Sequence, residues 1–203
     1  MSQEKVWNKI AESWTENRQK GHPEVRRFLR SRKGRILEAG CGNCRNLVSA
    51  NKKRNDLYGI DFSRNMLRVA RKYCKEHKMK VILKKADVKK IPFKDNFFDA
   101  VVCVAVLHII NKGRIEKPLK EIKRVMKPGA SALISVWYKK EKGERLKPWF
   151  KKYGGKKVSR YYYFFDEKEM KGRIKKAGLE ITDFYVSGAK NRKNLFFEVR
   201  KPL

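Results

Sequence analysis

The stretch "RILEAGCGNCRNL", residues 35–47, decides the fold that this chain is expected to adopt. An apolar run ends in a glutamate and is followed by Gly40-x-Gly42, a turn of the kind that lets a backbone approach a ligand closely. The same stretch contains a C-x-x-C pair, Cys41 and Cys44, which is also found in redox and metal sites. The rest of the sequence decides between a ligand-binding glycine turn and a redox or metal site.

Composition indicates one folded domain with an extreme positive charge. The 203 residues are 41% hydrophobic and 11% aromatic, which is enough for an ordinary core, so we expect a single domain over residues 1–203. Lysine and arginine number 53 against 21 acidic residues, a net charge of +32. Such a field attracts polyanions, of which nucleic acid is the commonest. The alternative explanation is a general lysine bias of the source proteome.

The sequence predicts a cytoplasmic protein without a membrane anchor. Its longest apolar run, residues 100–110, holds a histidine and is far shorter than the roughly 20 residues of a bilayer span. The first residues do not have the pattern of a signal peptide. Four cysteines in a chain without secretory features are expected to be reduced thiols.

Strands and helices alternate from residue 34 onward. Residues 1–33 are basic and helical in pattern, and we interpret them as an N-terminal helical arm. Strands are predicted at residues 35–38, 57–60, 81–83, 100–104, 132–137, 181–186 and 195–199. This alternation predicts an α/β fold, a Rossmann-like doubly wound sheet of seven strands that is mostly parallel with an antiparallel last strand. Residues 34–137 would form the cofactor-binding half, and residues 138–203 a lysine-rich connection on the substrate side followed by a C-terminal hairpin.

Acidic residues stand at the ends of the first three predicted strands. Ligands of doubly wound sheets bind at these carboxyl ends. Glu38 precedes the glycine turn, and Asp61 follows about 20 residues later, where a carboxylate accepts hydrogen bonds from ribose hydroxyls. Asp87 ends the third strand and could accept from an adenine amino group. Each signal alone is weak, but the three in order predict a site for a nucleoside cofactor.

The spacing of the glycines separates two kinds of cofactor. A dinucleotide fingerprint needs its third glycine at position 45, which is Arg45. An acid-x-G-x-G pattern fits instead, and with it residues 34–200 resemble the Rossmann-like S-adenosylmethionine (SAM) methyltransferases. That resemblance implies SAM as cofactor; Cys44 stands where the family usually has glycine. The expected cofactor contacts are Glu38, Gly40, Cys41, Gly42, Asn43, Asp61, Phe62, Ala86, Asp87, Val88 and Val104.

The C-x-x-C pair is better interpreted as two small residues around the cofactor turn. A zinc site needs four ligands, and the sequence offers no second pair, since Cys74 and Cys103 are isolated. We therefore predict no metal. Cys103 lies within an apolar strand, which favours a buried, inert thiol over a nucleophile.

The two ends of the chain resemble the tRNA wobble-uridine carboxymethyl methyltransferases. The similar segments are "WNKIAESWTENRQKGHPEV" (residues 7–25) and "RYYYFFDEKEMKGRIKKAGL" (residues 160–179), together with "EAGCGNC", "VAVLHI" and "SVW". The resemblance implies a tRNA methyltransferase that transfers a methyl group from SAM to the carboxylate of 5-carboxymethyluridine, giving 5-methoxycarbonylmethyluridine. The substrate pocket that it implies is surrounded by Arg18, His108, Trp137, Arg160 and Tyr161.

The same resemblance implies two macromolecular partners. One is the anticodon stem-loop of tRNA, which the lysine field would bind. The other is a small zinc-binding activator protein docked on the strand-3 edge of the sheet, at Val81, Ile82 and Leu83. Two other functions stay open at this point. One is a methyltransferase for a small carboxylic acid or a quinone-type metabolite, and the other is a non-catalytic RNA-binding subunit with a degenerate cofactor turn.

Overall fold

The chain begins with two helices in the computed structural model, which describes residues 2–50, 53–139, 143–153, 156–188 and 193–203. Helix α1 spans Gln3–Glu16 and helix α2 spans Pro23–Leu29. The apolar stripe of α1 is buried, with Val6 and Ile10 at its centre. Pro23 opens α2, where its fixed φ favours the first helical turn.

The centre of the fold is a seven-stranded sheet. In chain order the strands of the described residues are β1 (Gly34–Ala39), β2 (Asn55–Asp61), β3 (Val81–Lys85), β4 (Phe98–Val104), β5 (Met126–Tyr138), β6 (Gly143–Tyr153), β7 (Lys156–Phe164), β8 (Glu180–Ser187) and β9 (Lys193–Arg200). Strands β6 and β7 lie outside the seven-stranded sheet. The sheet runs in the order β3-β2-β1-β4-β5-β9-β8. The first five strands pair in parallel, whereas β9 is antiparallel to both β5 and β8. The predicted fold class, including the antiparallel last strand, is confirmed.

Three further helices cover the sheet and position the strand ends. They are α3 (Arg64–Glu76), α4 (Glu116–Val125) and α5 (Glu167–Lys176). Ser63 caps α3 by accepting from the Met66 backbone N–H at 3.1 Å, and Asp166 caps α5 by accepting from Glu169 N–H at 2.7 Å. Among the described residues, no helix combines the length and the apolar character that a bilayer span requires.

The core is split by the sheet into two layers. Neighbouring residues of β1 point to opposite faces, so that Leu37 packs in one buried cluster and Ile36 in the other. Strand β4 is buried at every position from Ala100 to Val104, as expected for a central strand covered on both faces. A third cluster joins α1 to α3 and β7 and includes Trp7, Met66 and Val158.

Two local predictions were wrong. The lysine-rich connection predicted to begin at residue 138 contains strands β6 and β7, which were not predicted and which pair antiparallel as a separate two-stranded sheet. The residues there are rich in lysine, and their pattern did not indicate strands. The helix expected after the glycine turn is only a 3₁₀ helix, Arg45–Ala50. The Leu47 N–H donates to the carbonyl three residues back, on Cys44, which is the 3₁₀ pattern.

Candidate active site

A cavity of about 440 Å³ opens at the carboxyl ends of β1 to β4, beneath α1. Its size is that of a small-molecule site. Every residue predicted to contact the cofactor lines this cavity: Glu38, Gly40, Cys41, Gly42, Asn43, Asp61, Phe62, Ala86, Asp87, Val88 and Val104. Helix α1 contributes Trp7 and Trp14 to the lining. The predicted cofactor residues are therefore brought together by the fold, although their individual roles stay predictions.

The glycine turn is shaped for close approach of a ligand. The backbone N–H groups of Gly40 and Cys41 both donate to the Ile60 carbonyl at 2.8 Å, which fixes the turn against β2. Gly40 has a φ of +77°, and a Cβ at this position would overlap the side chain of Val106. Glycine is required here for both reasons, since an L side chain would be strained and would also collide with Val106, which lines the cavity.

Glu38 is a buried carboxyl group with one oxygen in use. It is 2% exposed, and Asn46 Nδ2 donates to its Oε1 at 2.7 Å. Its Oε2 is buried and has no hydrogen-bond partner in the part of the chain that the structure describes. Burial raises the pKa of Glu38 to about 8 against the lowering effect of Asn46. A carboxyl group with this pKa is largely protonated at pH 7, and a cation that enters the cavity would favour its ionised form, in which Oε2 is an acceptor.

Two further carboxyl groups continue along the strand ends. Asp61 accepts from the Gly42 N–H at 3.0 Å and from the Ser63 N–H at 2.9 Å, and burial raises its pKa to about 6. Asp87 accepts from the Lys89 N–H at 2.9 Å and is more accessible. Because β1, β2 and β3 are neighbours, the three acids form a row that suits the ammonium, ribose and adenine of a nucleoside cofactor.

The cysteines near the turn are buried thiols. Cys41, Cys44 and Cys74 lie in the same core cluster. Although a hydrogen bond from Cys44 lowers it, the pKa of Cys41 is raised to about 11, mainly by burial. These groups are protonated at neutral pH, whereas redox and metal sites use the thiolate. Cys44 has a φ of +64°, in the left-handed region that favours glycine. No group of ligands for a metal ion occurs among the described residues.

A second set of residues, the substrate-side cluster, consists of His108, Trp137, Arg160 and Tyr162. The rings of His108 and Trp137 stack with centroids 4.7 Å apart, and those of Trp137 and Tyr162 stack at 4.4 Å. Arg160 is 4% exposed and lies over the rings of Tyr162, at 5.1 Å, and of Trp7, at 5.6 Å. This cluster combines flat aromatic faces with a buried cation.

Protonation in the substrate-side cluster follows from burial. The Trp137 backbone N–H donates to His108 Nδ1 at 3.3 Å, which assigns the proton of a neutral imidazole to Nε2. Burial, together with the charge of Arg160, lowers the pKa of His108 to about 3. Burial raises the pKa of Tyr162 to about 12. At neutral pH the cation of the cluster is therefore Arg160, and Tyr162 keeps its hydroxyl proton.

The structure groups most, but not all, of the predicted substrate residues. His108, Trp137 and Arg160 meet in the substrate-side cluster. Arg18 is half-buried at the end of α1, where its guanidinium lies 4.9 Å from the ring centroid of Trp14. Tyr161 packs instead against the central core, because it points to the opposite face of β7 from Arg160.

Two site residues were missed by sequence reasoning. Tyr162 lies two positions after Arg160, so strand alternation places both on one face, but residues 160–165 were not recognised as a strand. Arg45 lines the cofactor cavity. In the sequence its position served only to exclude a dinucleotide fingerprint, which needs a glycine there. A cation beside a glycine turn was the signal that could have identified it.

Comparisons with known proteins agree with this geometry. A family model described as a methyltransferase domain matches residues 36–129. The tRNA (carboxymethyluridine(34)-5-O)-methyltransferase of Arabidopsis thaliana is 32% identical over 136 residues, which are 66% of this chain and 32% of that protein. The enzyme of the same name from Mus musculus, ALKBH8, is 31% identical over 164 residues, 76% of this chain and 22% of that protein. The chain thus spans a third or less of the length of these two relatives.

Solved structures show the same fold. A SAM-dependent methyltransferase from Methanosarcina mazei has a TM-score of 0.76 and 21% identity, covering 91% of this chain and 99% of that one. A methyltransferase from Burkholderia thailandensis, solved with S-adenosylhomocysteine, has a TM-score of 0.72 and 14% identity, covering 100% of this chain and 92% of that one. Together with the cavity at the strand ends and the unused Glu38 oxygen, these likenesses lead to one conclusion: residues 36–129 match the methyltransferase-domain family, the chain has the fold of the SAM-dependent methyltransferases, and SAM is its cofactor.

Proposed function

We propose that the protein is a tRNA methyltransferase that methylates the carboxylate of 5-carboxymethyluridine at the wobble position, giving 5-methoxycarbonylmethyluridine. The similarity to two relatives that are named for this activity and the net charge of +32 support the proposal. The observation that carries it is the position of Arg160, a buried guanidinium between aromatic rings. Such a site suits a ligand that is both flat and anionic.

The substrate-side cluster offers matching groups for each part of such a nucleoside. A guanidinium holds a carboxylate by two parallel hydrogen bonds, a geometry that lysine does not reproduce. Base rings removed from a nucleic-acid stack commonly rest on aromatic side chains. Trp137 and Tyr162 lie nearly parallel, with 12° between their planes. The Tyr162 hydroxyl is buried without a partner among the described residues, so a donor is available for a ligand.

The proposed chemistry does not require a general base. A carboxylate is already ionised at neutral pH, so no proton has to be removed before its oxygen reacts. Bound SAM supplies the electrophilic methyl group. His108, with a pKa near 3, is a poor proton acceptor, which fits a positioning role through its ring stack. The residues of the chain would instead orient the carboxylate and exclude water from the reacting atoms.

Arg18 connects the two halves of the site. Its carbonyl accepts from Asn43 Nδ2 at 2.8 Å, which ties the end of α1 to the glycine turn. Its guanidinium rests on Trp14, which itself lines the cofactor cavity. We therefore propose Arg18 as a second cation for the substrate carboxylate or an adjacent phosphate, together with Arg160.

The proposed partners contact other surfaces. The lysine field would bind the anticodon stem-loop through its phosphates, in the cytoplasm. A small zinc-binding activator would dock on β3, which is an edge strand and pairs, within the described ranges of the chain, with β2 alone. Ile82 is 51% exposed there, between Val81 and Leu83, which are half-buried. An exposed apolar residue on a free edge favours association with another protein.

Mass spectrometry of nucleosides tests the proposed function. Transfer RNA that carries 5-carboxymethyluridine with a free carboxylate is incubated with the protein and SAM, with and without a zinc-binding activator. The expected result is the methyl ester at the wobble uridine, formed by the wild-type protein and greatly reduced in Arg160→Ala. Arg200→Ala serves as the control, because Arg200 is exposed and paired with Glu180 at 3.1 Å.

Two outcomes would contradict the proposal. Methylation of free small carboxylic acids, unaffected by added tRNA, would favour a metabolite methyltransferase. Failure to bind SAM in equilibrium dialysis, with and without the activator, would favour a non-catalytic RNA-binding subunit.

A further inference from the structure

Arg45 is a cation that lines the cofactor cavity and also the neighbouring pocket around His22. It opens the 3₁₀ helix Arg45–Ala50, directly after the glycine turn. One terminal nitrogen, Nη2, lies 3.3 Å from His22 Nε2, and the other, Nη1, lies 3.5 Å from the carbonyl of Arg18. The guanidinium carbon is 4.9 Å from the ring centroid of Trp14. These contacts hold the side chain in place without neutralising its charge.

No acidic group of the described chain pairs with Arg45. No carboxylate oxygen of those residues lies within 4.0 Å of its guanidinium, and its Nε is buried without an acceptor. Arg124 shows the usual arrangement, with Glu121 and Asp95 both at 2.7 Å. A largely buried cation without a counterion is unfavourable, and it favours a ligand that brings an anion.

His22 helps to orient this cation. Burial and the nearby charge of Arg45 lower the pKa of His22, so its ring is neutral at pH 7 and Nε2 can accept from Arg45 Nη2. The backbone N–H of His22 donates to Asn46 Oδ1 at 2.9 Å. Asn46 in turn holds Glu38 at 2.7 Å. The anchors of Arg45 and Glu38 therefore belong to one hydrogen-bonded chain.

The same cavity contains a complementary acceptor. Glu38 Oε2 is buried without a partner among the described residues, and Glu38 and Arg45 both line the cavity beside the glycine turn. The methionine end of SAM carries an ammonium and a carboxylate. With the ribose at Asp61 on β2 and the adenine at Asp87 on β3, the strand order leaves that end at β1, where this pair lies. We propose that Arg45 binds the α-carboxylate of SAM while Glu38 accepts from its α-ammonium.

Three probes test the assignment by calorimetry, and none involves RNA. They are SAM, decarboxylated SAM, which lacks only the carboxylate, and 5′-methylthioadenosine, which lacks the whole amino-acid end. The wild-type protein is expected to bind decarboxylated SAM roughly 10- to 100-fold more weakly than SAM, the range of a hydrogen-bonded charge pair. In Arg45→Ala, SAM and decarboxylated SAM should bind equally, because the partner of the carboxylate is missing.

Two controls make the result specific. Affinity for 5′-methylthioadenosine should be the same in Arg45→Ala and wild type, which shows that the adenosine site is folded. Arg114→Ala removes an exposed arginine that lines the same cavity and should keep the preference for SAM. Arg45→Gln provides the same comparison should the alanine variant not fold.

Two results would overturn the assignment. One is a preference for SAM that survives in Arg45→Ala or Arg45→Gln, and the other is an equal loss of preference in Arg114→Ala, which would indicate a general field effect. Because no tRNA is present, failure of this assignment and failure of the proposed tRNA activity are distinguishable.

Discussion

The cofactor cavity and the substrate-side cluster are built in different ways. The cavity is formed by backbone turns and carboxyl groups at the ends of neighbouring strands, such as Gly40 and Asp61. The cluster is formed by large side chains from distant parts of the chain, such as His108 after β4 and Arg160 on β7. A cofactor site can thus be encoded in short local patterns, whereas the site that selects a substrate depends on how separate segments pack.

The two regions also differ in charge. In the cavity, burial raises the pKa of Glu38 to about 8 and that of Asp61 to about 6, and a bound cation would favour the ionised form of both carboxyl groups. In the cluster, burial lowers the pKa of His108 to about 3, and the cation that remains is Arg160. SAM is positively charged at sulfur, and the proposed substrate is a carboxylate. Each region therefore has the electrostatic character that its proposed ligand needs.

The largest expected effect comes from a substitution of Gly40 in the glycine turn of the cofactor cavity. Gly40→Ala should abolish measurable SAM binding and lower the free energy of unfolding by about 2–5 kcal/mol, because it combines a positive φ with an overlap at Val106. Gly172→Ala is the matched control. Gly172 lies within α5 with open space around its Cα, so this change should stabilise by about 0.5–1 kcal/mol. Calorimetry and urea unfolding measure both; normal SAM affinity in Gly40→Ala would contradict the role of the turn.

Next in size is a change on the substrate side. Arg160→Ala should reduce methyl transfer to tRNA roughly 10- to 100-fold, the loss of a charge-assisted pair, while the Kd for SAM stays the same. Single-turnover kinetics and SAM titration separate the two quantities. Equal losses in transfer and in SAM affinity would place Arg160 on the cofactor side and would break the distinction between the regions.

A gradual effect, limited in size per pH unit, is expected in the pH dependence of stability. Folded Glu38 keeps its proton up to a pH of about 8, whereas an unfolded glutamate loses it near 4.5. Between these values the folded state binds more protons, so the free energy of unfolding should fall as the pH rises, by at most about 1.4 kcal/mol per unit. Glu38→Gln removes this contribution and keeps an acceptor for Asn46.

Urea unfolding of both proteins from pH 5 to 8 isolates the effect of Glu38. Asp61 contributes to both curves and cancels in the difference between them. A wild-type curve parallel to that of Glu38→Gln would mean that Glu38 is ionised in the folded protein.

The smallest effect is expected at the cysteine of the turn. Cys44→Gly relieves a left-handed backbone, worth about 1 kcal/mol, but removes a buried thiol from the core. The two contributions oppose each other, so stability should change by less than about 1 kcal/mol and SAM affinity by less than about threefold. Urea unfolding and calorimetry measure these values. A tenfold gain in SAM affinity would show instead that Cys44 limits cofactor binding.

The sequence by itself determined the cofactor half because its signals are local. Hydrophobic runs, a glycine turn and three acids at strand ends predict β1 to β3 and their shared edge, since parallel strands bring their carboxyl ends together. The positive φ of Gly40 and the burial of Cys103 follow from the same patterns. These features depend on backbone geometry and on the period of buried residues, both of which can be deduced from residues that are close in sequence.

Only the tertiary structure decided which side chains meet on the substrate side. The β6–β7 hairpin puts Tyr162 rather than Tyr161 beside Arg160, because a strand presents alternate residues to each face. It also decided that no carboxylate oxygen of the described residues lies within 4.0 Å of the Arg45 guanidinium, which depends on how α1 and the 3₁₀ helix pack around the cavity. Contacts between residues distant in the chain are set by packing, and the strength of a buried charge depends on every group around it.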